Sequence, residues 1–107
     1  TCIGDAMLTF KKSVEITGIR PECVALIAEV YHIYRLQGGI CVVTSITDGK
    51  HKVGSKHYNG FAADFRTNNL TAQQIDRIVR MLKANDDYEL DIVLEDTHLH
   101  VEWDVHK

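Results

Sequence analysis

The chain has 107 residues, 45% of them hydrophobic and 25% charged, with a formal net charge of -3. Those proportions fit a single globular domain over residues 1–107, with a modest core that a bound metal would help to stabilise. They argue against a nucleic-acid surface or nonspecific adhesion to anionic envelopes, and no run of about 18 apolar residues marks a membrane span.

The first residues show no charged-then-apolar segment of the kind that opens a secretory signal. Residues 1–19 are weakly patterned: Met7–Phe10 and Val14–Thr17 alternate as short strands or an extended arm would, until Gly18 breaks the run. Pro21 suits the first turn of a helix, where its missing N–H is not needed. Val24, Ile27, Val30, Tyr31 and Tyr34 recur at three- and four-residue steps, and Gly38-Gly39 provides a stop. The pattern predicts a helix from Glu22 to Gln37, with His32 at the edge of its apolar stripe.

Ile40 to Ile46 is short and β-branched, a buried strand. Thr47 to Ser55 is polar and reads as a loop, and Gly60 to Arg66 as a second strand. Alternation puts Gly60, Ala62 and Asp64 on one side of it, leaving room at the Asp64 carboxylate, and Phe61, Ala63 and Phe65 on the other. Thr71 and Gln74 form a capping box for a second helix, whose stripe is Ile75, Ile78, Val79 and Leu82, to about Lys83. Tyr88 to Leu94 is a third strand. His98 to Val105 is a fourth, with Leu99, Val101, Trp103 and Val105 on one face and His98, His100, Glu102 and Asp104 on the other. Helices set against a mainly antiparallel sheet make the fold α+β. The three cysteines, Cys2, Cys23 and Cys41, follow no framework spacing; Cys23 and Cys41 read as buried thiols, with one bridge left open.

Two stretches carry chemistry. Ser55 to Asp64 holds His57 and Asp64, and Glu95-Asp96-Thr97-His98-Leu99-His100 answers it. Singly, such residues belong to the surface or to an ion pair, Asp64 with the nearby Arg66 for example. Together they supply the ligand types of a catalytic zinc, three protein groups with a fourth position for water. His98 and His100 share a strand face, about 7 Å apart along it, so one of the two is a ligand with His57 and Asp64 and the other stands beside the metal. Zinc lowers the pKa of its water to about 7. Glu95 is placed to take the water proton and pass it to the leaving amine, and the non-ligand histidine to stabilise an oxyanion. Glu102 and Asp104 continue the polar face and read as solvent-exposed, with support of His100 the lesser alternative.

Ser55-x-His57-x-x-Gly60-x-Ala62-x-Asp64 and His98-x-His100 resemble the paired signatures of the zinc D-alanyl-D-alanine carboxypeptidases and the phage L-alanyl-D-glutamate endopeptidases, a superfamily that also contains the Hedgehog signalling domain. The resemblance covers roughly residues 40–104. It implies a Hedgehog/D-Ala-D-Ala peptidase-like fold, one zinc ion on His57, Asp64 and His100, and hydrolysis of peptidoglycan stem peptides in a cell-wall or phage-lysis context. It also implies that Glu95 and His98 are the catalytic pair. Many members place the base three residues before the last ligand, a spacing that Glu95 keeps to His98 rather than to His100, so the choice of ligand stays open. Many also carry a substrate-holding arginine after the strand before the signature. Thr44 to Gly49 has none, which leaves Lys50, His51 or Lys52, together with Ser55, to hold a substrate carboxylate. The alternative function is a non-catalytic zinc-binding module of Hedgehog-like type. Which bond is cut and the oligomeric state are not written in the sequence.

Overall fold

The computed structural model describes residues 7–47, 60–84 and 90–103. Helix α1 (Pro21–Leu36) starts with its proline in the first turn and Glu22 beside the positive end of the helix dipole. It stops in a Schellman arrangement: Gly38, at φ +74°, donates to the Arg35 carbonyl, and the Gly39 N–H donates to the Tyr34 carbonyl. Its buried face is Cys23, Leu26, Ile27, Val30, Ile33 and Tyr34. Val24, assigned to that face by its spacing, is instead 55% exposed. It lines a separate apolar groove of about 300 Å³ with Leu8, Phe10, Ile16, Ile19, Ile27 and Ala28. The spacing allowed two overlapping stripes, and the sheet took the one centred a residue earlier. His32 is exposed, as its edge position implies. Helix α2 (Ala72–Lys83) carries the capping box: Thr71 accepts from the Gln74 N–H, and the Gln74 side chain accepts from the Thr71 N–H.

Among the described residues, five strands form one mixed sheet in the order β1-β2-β3-β5-β4. They are β1 (Leu8–Phe10), β2 (Cys41–Ser45), β3 (Ala62–Arg66), β4 (Leu90–Leu94) and β5 (His98–Trp103). Strand β1 runs parallel to β2, with α1 as the crossover, and the other pairs are antiparallel. The α+β architecture is therefore present. Val14–Thr17, a possible strand by its alternation, is irregular: the Glu15 carboxylate collects the N–H groups of Ile16 and Thr17 and the Thr17 hydroxyl, and Thr47 binds the Glu15 carbonyl.

The core lies between the helices and one face of the sheet. Val43, Ala63, Phe65, Leu99 and Val101 meet α1 and α2 residues there, Ile78 and Leu82 among the latter. Burial of such side chains, at about 25 cal/mol per Å² of apolar surface, is the main force holding the two layers together. Cys23 and Cys41 are free thiols inside this core, each with its pKa pushed up to about 12 by burial. Two polar atoms of α1 fasten the ends of β3. The Cys23 thiol meets the Ala62 carbonyl at 3.5 Å, and the Tyr34 hydroxyl donates to the Arg66 carbonyl at 3.0 Å. Asp64 sits midway between them.

Candidate metal centre

The period-two rule sends Ala63 and Phe65 into the core and therefore turns Asp64 to the other face of β3. The same rule turns His98, His100 and Glu102 away from the core on β5, where Leu99 and Val101 are fully buried. Register then decides which groups meet. Asp64 pairs with His100, Arg66 with His98 and Ala62 with Glu102. On the far side of β5, Val93 pairs with His100 and Asp91 with Glu102. Strand β2 shifts register between Val43 and Ser45, an irregularity that sets Ser45 opposite Asp64.

The result is a cluster around one carboxylate. His100 Nδ1 lies 3.0 Å from Asp64 Oδ1, and His98 Nε2 lies 3.7 Å from Asp64 Oδ2. Asp64 is 7% exposed, so its charge is stabilised by these neighbours rather than by bulk water. The second nitrogen of His100, Nε2, stands 2.8 Å from Glu102 Oε1. Glu102 is half-buried, contrary to the solvent-exposed reading of its sequence position. The hydrogen bond to Asp64 first, then that to Glu102, raise the His100 pKa to about 8, against the opposing effect of burial. On the other ring, the Thr97 hydroxyl contacts His98 Nδ1 at 3.2 Å.

Glu95 is an exposed residue at the start of the β4–β5 turn. Its N–H donates to the His98 carbonyl at 2.9 Å, which makes it the cross-strand neighbour of His98 and extends the Asp91–Val93 row of β4. The turn is tied to the end of β3 by the Thr67 N–H, which donates to the Thr97 carbonyl. Gly60, the glycine of the first stretch, is buried with φ +77°. A Cβ there would stand 2.3 Å from the Gly18 carbonyl oxygen, so the lack of a side chain lets the approach to β3 pass against the segment before α1. The Arg20 N–H closes that contact on the Gly60 carbonyl.

Six residues singled out by sequence, Lys50, His51, Lys52, Ser55, His57 and Asp104, lie outside the described residues. Of the five others in the two stretches and their neighbourhood, Asp64, His98 and His100 converge, Glu95 is next to them in register, and Glu102 joins from a position that sequence ranked low. Among the described residues, no group of three or more His, Cys, Asp and Glu is arranged to hold a metal ion. The described part nevertheless suits a share in such a site. Two ligands of a tetrahedral zinc, each about 2.0–2.1 Å from the ion, stand roughly 3.3 Å apart. Asp64 Oδ1 and His100 Nδ1, hydrogen-bonded at 3.0 Å, need to part only slightly to reach that separation. One carboxylate and imidazole nitrogen are also the donor types zinc takes.

No family model, curated protein or solved structure matches this chain. No helix among the described residues is long and apolar enough to cross a membrane.

Proposed function

We propose that the chain is a zinc metallopeptidase acting on peptidoglycan stem peptides, as a D-Ala-D-Ala carboxypeptidase or an L-Ala-D-Glu endopeptidase. The observation that supports it best is the meeting of the Asp64 carboxylate with both imidazoles of His98-Leu99-His100 across adjacent strands. Asp64 and His100 are the described ligands in this reading, and His57 completes the set, as the resemblance of its segment to the zinc-peptidase signature implies. His100 is taken as the ligand because it is nearer to Asp64 and its side chain is 16% exposed, against 31% for His98.

When bound, zinc supplies a water of lowered pKa and polarises the scissile carbonyl. The other tasks belong to the chain's own side chains. Glu95, one cross-strand step from His98, receives the proton lost by water and returns it to the leaving amine. His98 donates from its ring to the oxygen that gains charge as the carbonyl becomes tetrahedral. Lys50, His51 and Ser55 are assigned to the substrate carboxylate. A cell-wall or phage-lysis setting follows from the same reading.

Mass spectrometry of muropeptides incubated with the zinc-loaded protein tests it. Loss of a terminal D-alanine or scission after L-alanine is the expected product. Zinc binding without turnover of any muropeptide would overturn the peptidase and leave the non-catalytic zinc module, which needs neither Glu95 nor His98.

A further inference from the structure

The contact between His100 and Glu102 carries more than its place on a polar strand face. An ionised carboxylate only accepts hydrogen bonds, so the 2.8 Å approach of Glu102 Oε1 to Nε2 fixes a proton on that nitrogen. Nδ1 faces a carboxylate too, Asp64 Oδ1 at 3.0 Å, so in the metal-free ring it is equally placed to donate; a cation bound beside Asp64 displaces the Nδ1 proton and leaves Nε2–H on Glu102. The ring could in principle be used the other way round, with a cation between Nε2 and Glu102. The surroundings decide between the two. On the Nδ1 side, Asp64 presents its second oxygen to His98 Nε2, so polar groups from β3 and β5 converge there. On the Glu102 side, the cross-strand neighbours are Ala62, which offers no donor atom, and Asp91, which adds a carboxylate but no second imidazole.

We propose that Glu102 is a positioning residue for the metal centre: it holds the proton on His100 Nε2 and turns the ring so that the Nδ1 lone pair and Asp64 Oδ1 grip the cation together. This rests on the zinc reading above. Residues two apart on a strand are separated by about 6.6 Å along it, so the side chain of position 102 must lean back to reach the ring. Glutamate has the length to do so. Aspartate keeps the charge but lacks a methylene, and glutamine keeps both the length and an acceptor oxygen while losing the charge.

Three variants separate the possibilities: Glu102→Gln, Glu102→Asp and Glu102→Ala. Zinc dissociation constants are read by competition with a chromophoric chelator, and the His100 ring protons by long-range ¹H–¹⁵N spectra of the zinc-loaded protein. The expected order is wild type close to Glu102→Gln, with Glu102→Asp and Glu102→Ala both weaker by about 10- to 100-fold. The Nε2–H signal should be protected from exchange in wild type and Glu102→Gln only. Thermal melting of each metal-free variant shows whether it folds. Binding in Glu102→Asp tighter than in Glu102→Gln would replace positioning by simple charge attraction. Loss of zinc from Glu102→Gln as complete as from Glu102→Ala would make Glu102 a ligand instead. Unchanged affinity in Glu102→Ala overturns the inference while the zinc reading stands. A wild type that takes up no zinc overturns both.

Discussion

Asp64 and His100 are direct cross-strand partners, from β3 and β5, and their side chains meet at 3.0 Å between Oδ1 and Nδ1. They are 36 residues apart in sequence. Their meeting depends on a strand order that brings β5 between β3 and β4, and on a register that lines up two polar faces residue by residue. The chemistry proposed for the chain is built outward from this pair.

The proposed division of labour between ligand and catalytic groups predicts two separable losses. His98→Ala keeps its zinc but loses peptidase activity by about 10²-fold or more, as expected when a group that stabilises an oxyanion is removed. Glu95→Gln behaves alike, losing the proton acceptor while preserving the shape of the turn. Zinc content and kcat, measured side by side on both variants, check this. Full activity in either removes that residue from the mechanism.

The metal-free protein should carry a pH dependence centred on His100. Its folded-state pKa is raised from 6.5 to about 8, chiefly by the hydrogen bond to Asp64. A raised pKa means that the folded state holds the proton more tightly than the unfolded one. The associated stability is thus complete below about pH 6.5 and is lost as pH rises through about 8. Melting temperatures taken between pH 6 and 9 in the presence of a chelator should fall across that window in wild type and stay flatter in His100→Gln. A wild-type curve that rises through the window contradicts the sign.

Gly60 should be among the least replaceable residues of the described chain. Gly60→Ala must place a Cβ at φ +77° and 2.3 Å from the Gly18 carbonyl oxygen. The backbone conformation alone costs about 1–3 kcal/mol, and the clash adds to it. Denaturant unfolding of the metal-free protein gives the number. A loss well under about 1 kcal/mol would mean that the Gly18–Gly60 contact yields readily.

Cys23 and Cys41 should resist alkylation in the native protein. Burial pushes both thiols to about pKa 12, so almost no thiolate exists at pH 8. Mass spectrometry after brief iodoacetamide treatment should find both unmodified until a denaturant is added. Rapid labelling of either in the native state would show that the core opens far more often than its packing implies.

Local signals carried much of this from the sequence. Alternation along His98–Trp103 separated the core residues Leu99 and Val101 from His98, His100 and Glu102, because a strand with one buried face leaves no freedom of parity. Thr71 and Gln74 marked the start of α2 through the reciprocal bonds they form. What stayed hidden depends on distant pairing. Three residues of β1 are too few to signal a parallel partner, and nothing local says that β5 lies next to β3. Glu102 was visible as a member of the polar face, but its turn back toward His100 depends on how the ring is held by Asp64 on the next strand. The shift beside Ser45 left no mark in a run of β-branched residues.

Zinc content of the purified protein, by elemental analysis after loading and removal of excess metal, bears most directly on the proposal that Asp64 and His100 bind a cation. The account predicts about one zinc per chain in wild type and very little in Asp64→Ala and His100→Ala, with all three proteins folded. A wild type that retains no zinc, or variants that retain as much as wild type, would contradict it.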